Sequence, residues 1–337
     1  MLKIDVHTHI LPKDLPDWKA KFGYGGFLTM EHDHSGCSRL IKEDGSLFRE
    51  VEPNCFDSPS RIHDIDSTMV DVQVISTVPV LFSYWAKPEH GAEISRFVND
   101  DIASTVERNP KRFIGLGTVP MQDVGLAIKE LERGRDIGLV GVEIGTNINK
   151  ANLGERRFDE FFAACEELGM AVFVHPWEMM GEDDMSDYWL PWLVGMPAET
   201  TRAICSLIFS GTLERFPNLR ICFAHGGGSF HSTIGRITKG FTARPDFCAK
   251  DNDVSPVEYF KRVWFDSLTH DIETLKRLIG LAGSERVALG SDYPFPLGDL
   301  DPVRTILDSD LDDETKENIF NKAALSWLNI PSQRFTD

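Results

Sequence analysis

Short runs rich in β-branched and aromatic residues recur along the chain, each followed by a longer stretch whose apolar residues fall three and four positions apart. Eight such runs stand out: Ile4 to Ile10, Val72 to Val78, Phe113 to Val119, Gly141 to Gly145, Ala171 to His175, Arg220 to His225, Val263 to Leu268 and Val287 to Ser291. The spacing predicts helices over Ala92 to Arg108, Val124 to Gly138, Arg157 to Leu168, Ala198 to Ser210 and Ile272 to Leu281, with Asn109-Pro110 and Phe216-Pro217 as stops. Strands alternating with helices form a parallel sheet covered on its outside, and eight such units close a (β/α)8 TIM barrel.

The first connection breaks this rhythm. From Leu11 to Ser58 the chain is glycine- and charge-rich, with Gly23-Tyr24-Gly25-Gly26 and the turn signal Asp44-Gly45. It reads as a small inserted subdomain (residues 11–58), a short hairpin sheet over the barrel mouth, because the loops that follow barrel strands gather there. The tail from Ser309 to Asp337 reads as two terminal helices, and the whole chain as one barrel.

Charge narrows the partners. Among 337 residues, 35 Lys+Arg face 53 Asp+Glu, a formal net charge of −18. Without a dense basic block, neither a nucleic-acid surface nor an anionic membrane fits, so an anionic substrate must meet a few placed cations. The six cysteines form no C-x-x-C pair and read as reduced thiols of a cytoplasmic protein. Met1 to His7 lacks the apolar run of a secretion signal. The longest membrane-span candidate, Trp189 to Ala198, holds two prolines and a glycine.

The chemistry sits at strand ends. In His7-Thr8-His9, residues two apart on a strand point the same way, so two imidazoles reach one place. His175 ends the fifth run, His225 the sixth and Asp292 the eighth. Barrel enzymes keep their catalysis at the C-terminal ends of strands, and imidazoles with a carboxylate are the donor set of a catalytic zinc, although cobalt or iron also fit. A second H-x-H, His32-Asp33-His34, lies in the charged insertion and reads as solvated loop. His63, His90, His231 and His270 read as capping or surface residues. Gly226-Gly227-Gly228 permits a sharp turn, while no G-x-S-x-G, P-loop or dinucleotide fingerprint is present.

These residues, together with Val80 to Pro88, His175-Pro176-Trp177, Trp189 to Thr200, His225 to Gly228 and Ser291 to Gly298, resemble the amidohydrolase superfamily. Within it they resemble the metal-dependent decarboxylases, which remove CO2 without oxygen or an organic cofactor. The resemblance spans nearly the whole chain. It implies one Zn2+ per chain held by His7, His9, His175 and Asp292, with His225 as the acid/base beside its water. It further implies that Arg49 pairs with a carboxylate of a small-molecule substrate, and that Trp192 and Phe295 line the pocket. Arg236 would reach the neighbouring site of a homodimer.

Glu143, in the fourth run, departs from this pattern, since the resembling decarboxylases carry glutamine there. The rest of the pattern follows the one-metal branch, so Glu143 is expected to be hydrogen-bonded in the barrel or to face a helix. Were it to point inward, a second metal between it, His175 and His225 would put the acid/base role of His225 in question. The scaffold also leaves a lactone or amide hydrolase, or a decarboxylase of an aromatic carboxylate, as alternatives.

Overall fold

A computed structural model describes residues 1–33 and 36–335. The first apolar run forms β1 (Ile4–Ile10), and the connection after it builds an antiparallel sheet of β2 (Thr29–His32), β3 (Ser38–Ile41) and β4 (Leu47–Val51). Gly45, at φ +81°, makes the Asp44-Gly45 turn from β3 to β4 possible, a conformation that side-chain-bearing residues avoid. Next come β5 (Val72–Thr77), β6 (Phe113–Gly117), β7 (Gly141–Gly145) and a small ribbon of β8 (Asn147–Ile148) and β9 (Ala151–Asn152). Then follow β10 (Ala171–His175), β11 (Ile221–Phe223), β12 (Trp264–Asp266) and β13 (Val287–Ala288).

Eight of these strands form one sheet in the order β1-β5-β6-β7-β10-β11-β12-β13, each neighbouring pair parallel. Its edges meet: the Val6 amide donates to the Leu289 carbonyl and the Asp292 amide to the His7 carbonyl, both at 2.8 Å. The fold is the expected (β/α)8 TIM barrel.

Alternation along each strand separates two cores. Ala171 and Phe173 of β10 face inward with Ile4, Val74, Leu116, Cys222 and Ala288, and Trp327 of the terminal helical run closes this interior. Val172 and Val174 face the outer layer, where the helices Pro88–Arg108, Val124–Asp136, Asp159–Leu168, Met196–Phe209 and Ile272–Ala282 pack.

Two more helices, Ser58–Ser67 and Phe230–Ala243, complete the ring. The first buries Arg61 beside Ile65, whereas the second presents an apolar stripe of Phe230, Ile234, Ile237 and Phe241. The tail differs from expectation as well. Asp313–Glu317, a π-turn over Asn318–Lys322 and Ala323–Leu328 follow without a break as one helical run, and Ser332–Phe335 is a single 3-10 turn. Thr336 and Asp337, which the tail reading included, lie outside the described residues. No helix among the described residues is long and apolar enough to cross a membrane.

Candidate active site

The strand ends bring the expected residues together. In β1 the pairing with β5 shifts between Asp5 and Thr8, so that Val6 lies in the inner core while His7 and His9 also face the barrel axis. His175 follows Ala171 and Phe173 on the inward face of β10. Continued alternation past Cys222 and Ala224 would send His225 outward, but its φ of +56°, with +60° at Gly226, turns the ring back. Asp292 also sits at φ +59°. The ring centroids of His7, His175 and His225 lie 5.0 to 5.2 Å apart.

The nitrogens are oriented by their outer partners. His7 Nδ1 donates to Asp266 Oδ2 at 2.6 Å, His9 Nδ1 to the Thr77 carbonyl at 3.0 Å, and His175 Nδ1 to the Pro176 carbonyl at 3.0 Å. A carbonyl or carboxylate oxygen only accepts, so each Nδ1 bears the proton and each Nε2 presents a lone pair. Nε2 of His7 and of His9 nevertheless stand 3.2 Å apart, and Asp292 Oδ1 lies 3.5 and 3.1 Å from them. His175 Nε2 has no hydrogen-bond partner. Lone pairs and a carboxylate crowded in this way repel unless a cation lies between them, so the residues present fit a divalent metal ion.

Ligand atoms of His7, His175, His225 and Asp292 all lie within 4.8 Å of one another, and so do those of His9, Glu143 and His175. His225 differs from the other three imidazoles. Its Nδ1 has no partner, its Nε2 lies 3.6 Å from Asp292 Oδ2, and its side chain is 15% exposed. Burial lowers the proton affinity of His7, and that of His175 well below the ordinary value. For His9 burial acts the same way, but the Glu143 and Asp292 carboxylates outweigh it and raise the affinity. Burial alone would raise Asp292, yet the imidazoles of His7, His225 and His9 hold it well below the usual carboxylate range.

Glu143 corrects an expectation. It does not turn to a helix: between Gly141 and Gly145 it faces inward, fully buried, with Oε1 3.7 Å from His9 Nδ1 and the Ser76 hydroxyl beside it. Burial pushes its pKa up to about 8, against the pull of His9.

Two supporting residues escaped the sequence reading. Asp266, at the end of β12, accepts from His7 through Oδ2, which also takes the His225 amide at 2.8 Å, while Oδ1 takes the Gly226 amide at 2.7 Å. One carboxylate thus sets the His7 ring and the turn that carries His225. Its signal was available, a carboxylate inside the seventh run, Val263 to Leu268. Asp266→Asn is expected to weaken metal binding by roughly 10- to 100-fold, the usual cost of losing such an outer partner, as read by competition with a chelator. Arg61, fully buried, donates to the His9 carbonyl and to Gln73 Oε1 at 2.9 Å, and lies over the Tyr293 ring. Nothing in its local sequence sets it apart from a surface arginine.

Above the cluster a pocket of about 50 Å3 is walled by Trp177, Trp189, Trp192 and Phe295, and Arg49 from β4 stacks on Phe295 at 4.6 Å. Through the shared walls Phe48, Val80, Trp177 and Trp192 it adjoins a cavity of about 300 Å3 under the β2-β3-β4 sheet. Arg49 is the one cationic side chain lining the inner pocket among the described residues, and Lys42 lines the outer cavity. Arg236 lies exposed on Phe230–Ala243 and lines neither. His32 sits on β2 rather than in a loop, bonded to Ser38 at 2.6 Å and Asp14 at 3.1 Å, while His34 lies outside the described residues.

Comparison with known proteins places this geometry. The model of the amidohydrolase family matches residues 4–330. The chain is 52% identical over 336 residues to 2-amino-3-carboxymuconate-6-semialdehyde decarboxylase of Dictyostelium discoideum, covering 99% of this chain and 93% of that protein. It is 40% identical to the Caenorhabditis elegans protein of the same name, covering 97% and 94%. Among solved structures, a dihydroxybenzoic acid decarboxylase from Polaromonas with bound manganese and 2-nitroresorcinol superposes with a TM-score of 0.80, at 19% identity, over 100% of this chain and 99% of that one. The chain belongs to the amidohydrolase family, in the group of the 2-amino-3-carboxymuconate-6-semialdehyde decarboxylases.

Proposed function

We propose that this chain is a metal-dependent decarboxylase that converts 2-amino-3-carboxymuconate 6-semialdehyde to 2-aminomuconate 6-semialdehyde and CO2, on the kynurenine route of tryptophan breakdown. The observation that carries the reading is the 52% identity over 99% of the chain to a relative of that name. The converging Nε2 atoms of His7 and His9, the unpartnered Nε2 of His175 and the Asp292 carboxylate support it. These four residues hold the ion, one Zn2+ per chain, and His225 stays out of the ligand set because nothing fixes its Nδ1. When bound, such an ion supplies Lewis acidity and lowers the pKa of a coordinated water to about 7.

The chain's own residues do the rest. Arg49 binds a substrate carboxylate through two parallel charge-assisted hydrogen bonds, and Phe295 beneath it fixes the guanidinium plane. Trp177 and Trp192 exclude water from the reacting end. His225 Nε2, facing Asp292, supplies the one proton that the carbon bearing the departing carboxylate must gain. The C–C bond breaks, its electron pair stays on the substrate carbon, CO2 leaves, that carbon keeps the proton from His225 in its place, and His225 recovers a proton from solvent. Asp266 keeps His7 and the His225 turn in register throughout.

The active form is a homodimer in the cytoplasm, with Arg236 entering the neighbouring pocket. Its exposure and the single arginine of the inner pocket support this. Residues 11–58 form the insertion that closes the barrel mouth, since Phe48 and Arg49 reach the pocket from it. Arg49→Ala is expected to lower kcat/KM by roughly 10- to 100-fold, mostly through KM, as the loss of a charge-assisted pair predicts.

The test of the whole reading is a substrate panel with the metal-loaded protein: the aminocarboxymuconate semialdehyde, an aromatic 2-hydroxycarboxylate and a lactone. Turnover of the first with CO2 as product, far above the others, is the expected result. Preference for the aromatic acid would move the chain to a sister decarboxylase, and ring opening of the lactone to a hydrolase.

A further inference from the structure

The small ribbon of β8 and β9 lines neither pocket, yet it carries two asparagines whose amides reach the loops that do. Asn147, buried in β8, donates through Nδ2 to the Trp177 carbonyl at 3.0 Å and to Glu199 Oε1 at 3.1 Å, with the Glu178 carbonyl 3.3 Å away. Glu199, itself fully buried, accepts the Met180 amide at 3.0 Å. Asn149, exposed at the turn from β8 to β9, donates to the Tyr84 carbonyl at 2.8 Å, and Tyr84 Oη accepts the Gly145 amide at 3.1 Å at the end of β7. Trp177, Glu178 and Met179 of the first loop, with Val80, Ser83 and Trp85 of the second, line the outer cavity. Each loop also holds a non-glycine residue in the left-handed region beside the carbonyls so bonded, Glu178 at φ +52° and Ser83 at φ +49°. Such conformations persist only where the surroundings over-determine them.

From this geometry we infer that Asn147 and Asn149 are positioning residues for substrate binding: they hold the Trp177 and Trp85 loops against the end of β7 and so fix the width of the outer cavity, which takes the part of the substrate beyond its reacting carboxylate. The inference rests on the reading of the two adjoining pockets as the substrate site. Neither asparagine touches the substrate, so the loss of either acts through a loop. Without Asn147 the Trp177 carbonyl has lost its donor, and Glu178 is free to leave its left-handed conformation. Without the Asn149 amide the same holds for Tyr84 and Ser83. In both cases the wall moves while the chemical groups of the reacting centre stay in place.

The test compares steady-state kinetics of the metal-loaded parent chain, Asn147→Ala and Asn149→Gly. Glycine is chosen at the turn because it adopts the φ of +51° at which Asn149 sits, so that only the amide is lost. The proposal predicts a KM for the aminocarboxymuconate semialdehyde raised by about threefold to tenfold in each variant, with kcat and metal per chain near those of the parent, the pattern of lost binding rather than lost chemistry. An unchanged KM in either variant that folds overturns it, and so does a fall in kcat together with metal content, which is what a merely structural role would give. Asn149 is exposed, so its variant carries the test if the buried Asn147→Ala does not fold. If the parent turns over the aromatic 2-hydroxycarboxylate or the lactone instead, the proposed substrate fails, and the same comparison of KM on the preferred compound decides the role of the two asparagines separately.

Discussion

Dialysis against a strong chelator is expected to abolish turnover, and one equivalent of a divalent ion per chain to restore it. The reason lies in what the ion holds apart. Without it, the lone pairs of His7 and His9 Nε2 face each other at 3.2 Å, and the Asp292 and Glu143 carboxylates stand buried beside them. The same removal is expected to cost stability, since an ion that binds only the folded chain contributes RT ln(1 + [L]/Kd), about 4 kcal/mol at a thousandfold excess over Kd. Calorimetric melting of apo and metal-loaded protein reads this as a lower midpoint for the apo form. Chelator-treated protein that holds no measurable metal and still turns over would contradict the account.

The second large effect concerns His225. His225→Asn is expected to lower kcat by roughly 10^2- to 10^4-fold, the usual contribution of a positioned acid/base, while metal content and KM stay near those of the parent chain. Asparagine suits the site because it tolerates the left-handed φ of +56° that turns the side chain inward. Loss of bound metal in this variant would instead make His225 a ligand, the alternative that its place within 4.8 Å of His7, His175 and Asp292 leaves to be tested.

What the sequence made legible follows from periodicity. Ala171, Phe173 and His175 share one strand face, so an inward His175 was readable once the run was taken as a barrel strand. The same alternation reads Glu143 inward between Gly141 and Gly145, and weighing it by likeness to a one-metal pattern hid what the strand period already stated. His225 runs the other way: its strand parity points outward, and only the backbone turn at His225 and Gly226 brings it to the site. Arg61 was illegible because it replaces the apolar stripe of its helix with a buried guanidinium bonded across to β1, a contact between residues 52 apart in the chain. The three-stranded form of the insertion is set by pairing of β2 on β3, which no local period encodes.

The most direct test of the central claim is anaerobic headspace analysis of CO2 from freshly generated 2-amino-3-carboxymuconate 6-semialdehyde, run side by side on metal-loaded and apo protein with metal counted per chain. The account predicts one CO2 per substrate consumed, without oxygen, from the loaded protein alone. Substrate loss without CO2, or equal CO2 from the apo protein, would contradict it.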